Sequence, residues 1–513
     1  MAYLKYIIKD SKRFEDYIVN RKLYEGDHFD VFNIKQFEYY TDPKRQYIAY
    51  NYPEILTNAF NNLIWSEEPT ISFSSLKNQE FFENYLSHDG FFIKMRQATE
   101  TCSHSGESVL QLLIDEAEDG KYQVCMSQVE NSMWFPIYDE NNPSKQAKGH
   151  IIYFEKQVGQ NKGDLAILLE IHLPGQIIWE AYIKKAGDKD FTSDSVMSHF
   201  SEMMENVLVD TLEPSGGEGL SYKTNCKYPL VFHLPNHKTS GNFYGKSDYT
   251  TPVVAKVFAM NQNYNQIQYV LKKHAHPKMI VPKEVIKQAI AQVTSSDGEA
   301  KNLGFDTAEK AQKLFVGDKS LFETIVAQKL IDKVEFYGAD INSSDPKYLT
   351  WDGNLNESRE QINMLKQALF EETQLAKVLI DPDVSLGSAS GVAILRMAQP
   401  SLHKAVMKQA YIRDVMGRVI YSILDLAKNA NVEGSEGLVP EIPSITFRDG
   451  LVNDIKEMID NQALLLDNQL TTKIDAIMRT QDLSEKQAQN KFNEIQKENS
   501  LFTPDGEDLP ANN

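Results

Sequence analysis

Residues 251–277 read TPVVAKVFAMNQNYNQIQYVLKKHAHP, and the fold turns on this stretch. Thr251 is a residue type that caps helices, and Pro252 fits a first helical turn, where its missing N–H leaves no bond unmade and its φ is already helical. No further proline appears before Pro277. One helix from Pro252 to His276 is therefore expected, a rod of about 38 Å at 1.5 Å rise per residue. Along it Val257, Phe258, Ile267 and Leu271 are interleaved with Asn261, Gln262, Asn263, Asn265, Gln266 and Gln268. Uncharged amides in the middle of a rod suit contact with other protein or with a wet lumen; the alternative is an ordinary solvated face.

Downstream, residues 278–347 read as a small α/β unit. It has an apolar run Met279–Val281, a helix Lys283–Val293 and a polar loop Thr294–Gly304, and it returns through Lys313–Val316 and Lys333–Tyr337. A second rod is expected over Asn356–Leu379, capped by Asn356, with Ile362, Leu365, Leu369 and Leu375 near one stripe. Asp381–Gly391 breaks the helical pattern, and a third long helix should run from Val392 to Ala427 despite Pro400. A linker, 431–442, and a short strand, 445–447, lead to helices at 453–467, 471–480 and 484–498 and a polar tail, 503–513, expected to be disordered. Upstream, helices are expected over Tyr6–Tyr24, stopped by Gly26, from Pro53 with Leu56, Phe60 and Leu63 on one side, and over Phe91–Thr101. Glu67–Phe73 looks extended, Val109–Ile114 and Tyr122–Cys125 form a hairpin, and strands recur at 149–154, 166–173, 176–182 and 230–234. The fold class is α+β.

The chain has 513 residues, 42% of them hydrophobic and 24% charged, which is enough apolar material for several cores. Its formal charge of -19 repels a phosphate backbone, so tight non-specific DNA binding by one copy is not expected. A protein that surrounds DNA is compatible with that charge, and weak attraction suits passage. Three cysteines with no CxxC fit buried thiols in a reducing compartment. The first residues lack the apolar region of a secretory signal, and no run approaches the ~20 apolar residues of a membrane span; a soluble intracellular protein is expected.

Catalytic signatures are sparse. GxxxxGK[ST], HExxH and zinc-type Cys/His spacings do not occur. His274 and His276 are two apart and point to different sides of a helix, and Asp115–Gly120 reads as a solvated turn. No catalytic, cofactor-binding or metal-ligating residue is assigned, and no cofactor is expected. The alternative reading is a metal-dependent nucleic-acid enzyme, with carboxylates brought together across the fold.

Six segments carry a family likeness through their joint order: Leu23–His28 (LYEGDH), Tyr47–Pro53 (YIAYNYP), Trp65–Ile71 (WSEEPTI), Tyr244–Tyr249 (YGKSDY), His274–Lys278 (HAHPK) and Ser388–Ile394 (SASGVAI). Together they resemble the portal (head-to-tail connector) proteins of tailed double-stranded DNA bacteriophages, Gp6-like siphophage type. The resemblance implies a homo-oligomeric ring, a dodecamer, at one capsid vertex of the virion, assembled in the host cytoplasm. Double-stranded DNA would pass through it without any membrane being involved. Its implied partners are the terminase large subunit, the major capsid and scaffolding proteins and a head-completion adaptor. It also implies a wing at 1–246, a first stem helix at 247–277, a clip at 278–340, a return strand and second stem helix at 341–380, a tunnel loop at 381–391, a long wing helix at 392–441, a helical crown at 442–500 and a tail at 501–513. The tunnel loop would be carried by Asp383, Val384, Ser385, Leu386, Gly387, Ser388, Ala389 and Ser390, and the stem surface by Asn261, Asn265, Gln268 and Lys272.

Overall fold

A computed structural model describes residues 3–7, 11–32, 47–116, 122–139, 141–142, 146–158, 163–188, 190–195, 198, 200, 213–215, 219–274, 278–282, 297, 307–317, 335–339, 347–349, 355–380, 391–447, 455–481, 483 and 485–502. The chain divides into two compact units, Met1–Phe447 and Arg448–Asn513.

The first unit is mixed α and β. It opens with α1 (Ser11–Tyr24) and the short α2 (His28–Val31), parted by Gly26 at φ +86°, a left-handed turn that a side chain would strain. In α3 (Tyr52–Ile64) Pro53 sits in the first turn, as expected, and Leu56, Phe60, Leu63 and Ile64 are buried. A short strand, β1 (Thr70–Ser72), follows. Next come α4 (Leu76–Asp89) and α5 (Phe91–Ser105), joined by the left-handed Gly90. The first of this pair was not foreseen, since its buried Asn78, Phe82, Tyr85 and Asp89 mix polar with apolar types and blur the 3.6-residue stripe.

The expected hairpin is β2 (Glu107–Glu116) and β3 (Tyr122–Val129). A larger antiparallel sheet has the order β4 (Trp134–Ile137), β5 (Gly149–Gln157), β6 (Leu165–Leu173), β7 (Gln176–Lys184), with β8 (Thr192–Asp194) on β7, then β10 (Gly219–Lys223) and β9 (Glu213–Ser215). β11 (Val231–Pro235) joins β2 instead. Strand alternation sets the two faces of the large sheet. Ala166 and Leu168 point into the main core with the helices, whereas Ile167, Leu169 and Ile171 face a second cluster capped by Tyr3, Leu4, Tyr6 and Phe14.

Then comes the first rod, α6 (Thr251–His274), 24 residues long. β12 (Lys278–Pro282) pairs in parallel with β13 (Glu335–Ala339) and antiparallel with β14 (Lys347–Leu349). Between β12 and β13 lies α7 (Ala308–Gly317), which contains the apolar run 313–316. The expected helix 283–293 and, apart from residue 297, the loop 294–304 lie outside the described residues.

The second rod, α8 (Asn356–Thr373), is shorter than expected. It stops where Gln374 turns left-handed at φ +58° and bonds back to the last carbonyls, and a 3-10 turn, Lys377–Leu379, continues from there. Asn356 is its first helical residue; the cap position belongs to Leu355, which makes no side-chain cap bond. The third long helix, α9 (Gly391–Asn429), runs through Pro400 for 39 residues. The unit closes with β15 (Ser444–Thr446), antiparallel to β1. Beside this pair Glu441 accepts hydrogen bonds from Asn78 Nδ2 at 2.8 Å, Ser75 N at 3.2 Å and Ser74 Oγ, which fastens the closing segment to the start of α4.

In the second unit α10 (Ile455–Asp467), α11 (Lys473–Gln481) and α12 (Glu485–Phe502) appear at the three expected places. Thr472 caps α11: its Oγ1 accepts from Asp475 N at 3.1 Å and donates to Asp475 Oδ2 at 2.7 Å. The tail 503–513 lies outside the described residues.

Candidate functional site: the seat of the two long helices

The amides of α6 do not all share one surface. Asn265 and Asn261 are buried one helical turn apart, where i and i+4 side chains lie one above the other. Asn265 works in both directions on the backbone of one residue: Oδ1 accepts from Ile48 N at 2.9 Å and Nδ2 donates to Ile48 O at 2.8 Å. Asn261 Oδ1 accepts from Tyr50 N at 2.9 Å. The two side chains therefore stand in for a neighbouring strand along residues 48–50. Asn261 Nδ2 lies 2.7 Å from His28 Nδ1, and His28 Nε2 lies 2.9 Å from Leu23 O, so the network assigns the proton to Nε2 and the acceptor to Nδ1. Burial pushes the His28 pKa down and keeps that neutral form, against the opposing pull of its Leu23 and Asn51 bonds.

Asn265→Ala is expected to lower stability by about 2 kcal/mol, because both bonds to the Ile48 backbone go at once. Asn265→Asp should do no better, since it sets a carboxylate oxygen against Ile48 O. Denaturant midpoints of the two variants against the parent check this.

A second junction lies just before α6. Asp248 Oδ1 is 2.9 Å from Lys404 Nζ, and Oδ2 takes bonds from Lys408 Nζ and from Ser103 Oγ, the last at 2.7 Å. Side-chain exposure is 7% for Asp248 and Lys408 and 21% for Lys404, so these charges are largely out of water. Burial would raise the Asp248 pKa, but Lys408 and Lys404 outweigh it and hold the carboxyl far below the usual range. Burial lowers Lys408, and Asp248 acts against that.

The same face of α9 also holds the end of α8. Lys404 Nζ donates to Thr373 O at 3.0 Å. Ser401 Oγ accepts from Ala376 N at 2.6 Å and donates to Gln374 O at 3.0 Å. Ser401, Lys404 and Lys408 are three and four residues apart and so line up on one side of the helix. From that side they fix the entry to the first rod and the exit from the second. Lys256 of α6 pairs with Glu372 of α8 and ties the rods directly. A cavity of about 310 Å³ opens at this junction, lined by Lys246, Asp248, Glu372, Lys404 and Tyr411 among others.

Neighbouring backbone completes the seat. Ser247 Oγ donates to His104 O at 2.7 Å, and Tyr249 Oη donates to Pro53 O at 2.7 Å. Gly106 and Gly245 touch backbone to backbone: a Cβ on Gly245 would stand 2.1 Å from Gly106 O. The segments LYEGDH and YIAYNYP thus converge on α6, through His28 and through Ile48 and Tyr50, while YGKSDY, which leads into α6, is held to α9 through Asp248.

Of the expected stem residues, Asn261 and Asn265 face their own chain, Gln268 is exposed, and the side chain of Lys272 lies outside the described residues, as does the whole loop Asp383–Ser390. Asp248, Ser401, Lys404 and Lys408 were not singled out from sequence. Asp248 lies in the YGKSDY segment, but its lysines come from a distant helix and carry no local mark. Among the described residues no group of three or more His, Cys, Asp or Glu converges as metal ligands would. The buried Glu107 is engaged by Tyr17 and by His233 Nε2 at 2.7 Å. Among the described residues no helix is long and apolar enough to cross a membrane.

The family model for the phage portal protein, SPP1 Gp6-like, matches residues 4–167 and supports a Gp6-like portal protein. The family is structural, and it implies an oligomeric ring at the capsid vertex with capsid and DNA as partners. No curated protein matches the chain.

Proposed function

We propose that this Gp6-like phage portal protein closes into a dodecameric ring and serves as a passive conduit for double-stranded DNA at one vertex of the capsid. α6 and α8 are its stem, the unit from β12 to β14 its clip, the α/β body with α9 its wing, and the second unit its crown. A separate terminase motor hydrolyses ATP and drives the genome inward. The chain itself seeds the procapsid with capsid and scaffolding proteins in the host cytoplasm, docks the motor, and later receives a head-completion adaptor for ejection.

The observation that carries this reading is the pair of rods set on one side of α9, with a small unit between them, in a chain matched to the portal family over residues 4–167. A channel wall needs elements whose tilt is fixed from outside the lumen, and the Ser401, Lys404 and Lys408 face supplies that hold. The formal charge of -19 per copy suits passage, since a lining that gripped phosphates would slow the strand. Loop 383–390 is assigned the narrowest part of the lumen.

Negative-stain images of the purified full-length protein are expected to show annular particles with a central opening; solid shells or compact monomers alone under assembly conditions would overturn the reading. Shortening Val384–Ser390 should impair packaging or DNA retention while rings still form. Collapse of assembly with normal translocation by the surviving rings would remove the loop from this role.

A further inference from the structure

Side chains do not fill the gap between the β2–β3 hairpin and the large sheet. A cavity of about 330 Å³ remains there, at the small end of the range for ligand sites. Its walls are apolar and aromatic: Phe154 of β5, Ile177 and Trp179 of β7, Tyr222 of β10, Leu230, and Leu426 of α9. Its polar end is Glu170 of β6, which stands across from Trp179 in the β6–β7 register and so shares a face with it. Only 14% of the Glu170 side chain is exposed. Gln111 Nε2 donates to Glu170 Oε1 at 2.6 Å, and His172 Nε2 lies 2.6 Å from the same oxygen. Among the described residues nothing bonds to Oε2. A carboxylate withdrawn from water with both donors on one oxygen keeps an acceptor unused, and leaving such an acceptor unpaired is costly.

We propose that this cavity is a binding site for a small organic cation, an ammonium or amidinium group carried on a flat apolar body. Charge selects the cation: Glu170 and Asp115 both line the cavity, and among the described residues no Lys, Arg or His does. Aromatic walls add the same preference, since the face of a ring presents negative charge to a bound cation. An anion would meet two carboxylates and be repelled. A neutral apolar molecule would fill the walls but leave Oε2 without a donor. The cation's N–H donates to Oε2 while its body lies against Trp179 and Tyr222, a charge-assisted bond in a site largely out of water. Gln111 and His172 act as positioning residues, because they fix the carboxylate through its other oxygen. The site needs nothing from the ring, since every residue that lines it belongs to the first unit of one chain.

The test is ligand-observed NMR on the full-length protein, with benzamidinium as the probe. Benzoate and benzamide, of nearly the same shape, are the anionic and neutral comparisons. Benzamidinium is expected to bind, benzoate to give no signal, and benzamide to bind at least about tenfold more weakly for want of one charge-assisted bond. Glu170→Gln keeps the shape of the cavity and should weaken benzamidinium by about tenfold or more. Ser127→Phe sets a ring into the cavity from β3 and should abolish binding altogether. Thermal melting followed by circular dichroism shows whether each variant is folded. Should Glu170→Gln fail to fold, Ser127→Phe and the comparison of the three probes on the parent protein decide the matter. Absence of benzamidinium binding, equal binding of all three probes, unchanged affinity in a folded Glu170→Gln, or binding that survives Ser127→Phe would each overturn the inference.

Discussion

Replacing Asp248 with alanine is expected to destabilise the first unit by about 3–5 kcal/mol, because the change leaves the buried Lys408 ammonium without its counter-ion. Water cannot compensate, since only 7% of the Lys408 side chain is exposed. The bond from Ser103 Oγ is lost as well, and Lys404 keeps only its bond to Thr373 O among the partners described above. Removing the partner charge should therefore restore much of the loss. Asp248→Ala combined with Lys408→Met is expected to unfold at a higher denaturant concentration than Asp248→Ala alone, which a double-mutant cycle measures directly. If the double variant falls by the sum of the two single effects, the two groups are not coupled and the account of the seat is wrong.

Gly245→Ala is expected to lower stability by about 2–4 kcal/mol through overpacking, with no charge involved. The added methyl would meet Gly106 O at 2.1 Å and Asn236 N at 3.1 Å, both backbone atoms that no rotamer change can move. Gly106 has φ +91°, and a Cβ built on it would in turn stand 2.8 Å from Ser247 N and 2.9 Å from Gly245 O, so the two segments are in close backbone contact from both glycines. The loss should appear in the denaturant midpoint. Gly241→Ala, which has open space around its Cβ position, serves as the control and should shift little.

Local chemistry made most of the element list readable. The threonine and proline at 251 and 252, the left-handed glycine after α1 and the alternating apolar residues at 149–182 each act within a few residues of themselves. Helix ends set by unexpected residues were harder. Gln374 takes a left-handed turn that glycine usually occupies, so the second rod looked longer than it is. The seat was least legible. The amides of α6 announced a polar partner, but Asn265 and Ile48 lie 217 positions apart, and sequence pattern holds no record of such a pairing. The same applies to Asp248 and Lys408, 160 positions apart. The order of the portal-like segments points to a family, while the task of three of them, seating the first rod directly or through α9, emerges only from geometry.

The antiparallel contact of Thr70–Ser72 with Ser444–Thr446 has a consequence during synthesis. Its first partner leaves the ribosome long before its second: at about 5–20 residues per second, the interval is roughly 20–75 s. Throughout that time the early segment has a free edge, and the nascent body must wait for almost the whole of its own length before it can close. Translation pauses or premature termination between these segments should therefore yield chains that are prone to aggregate, even when every helix and strand encoded up to that point has already formed.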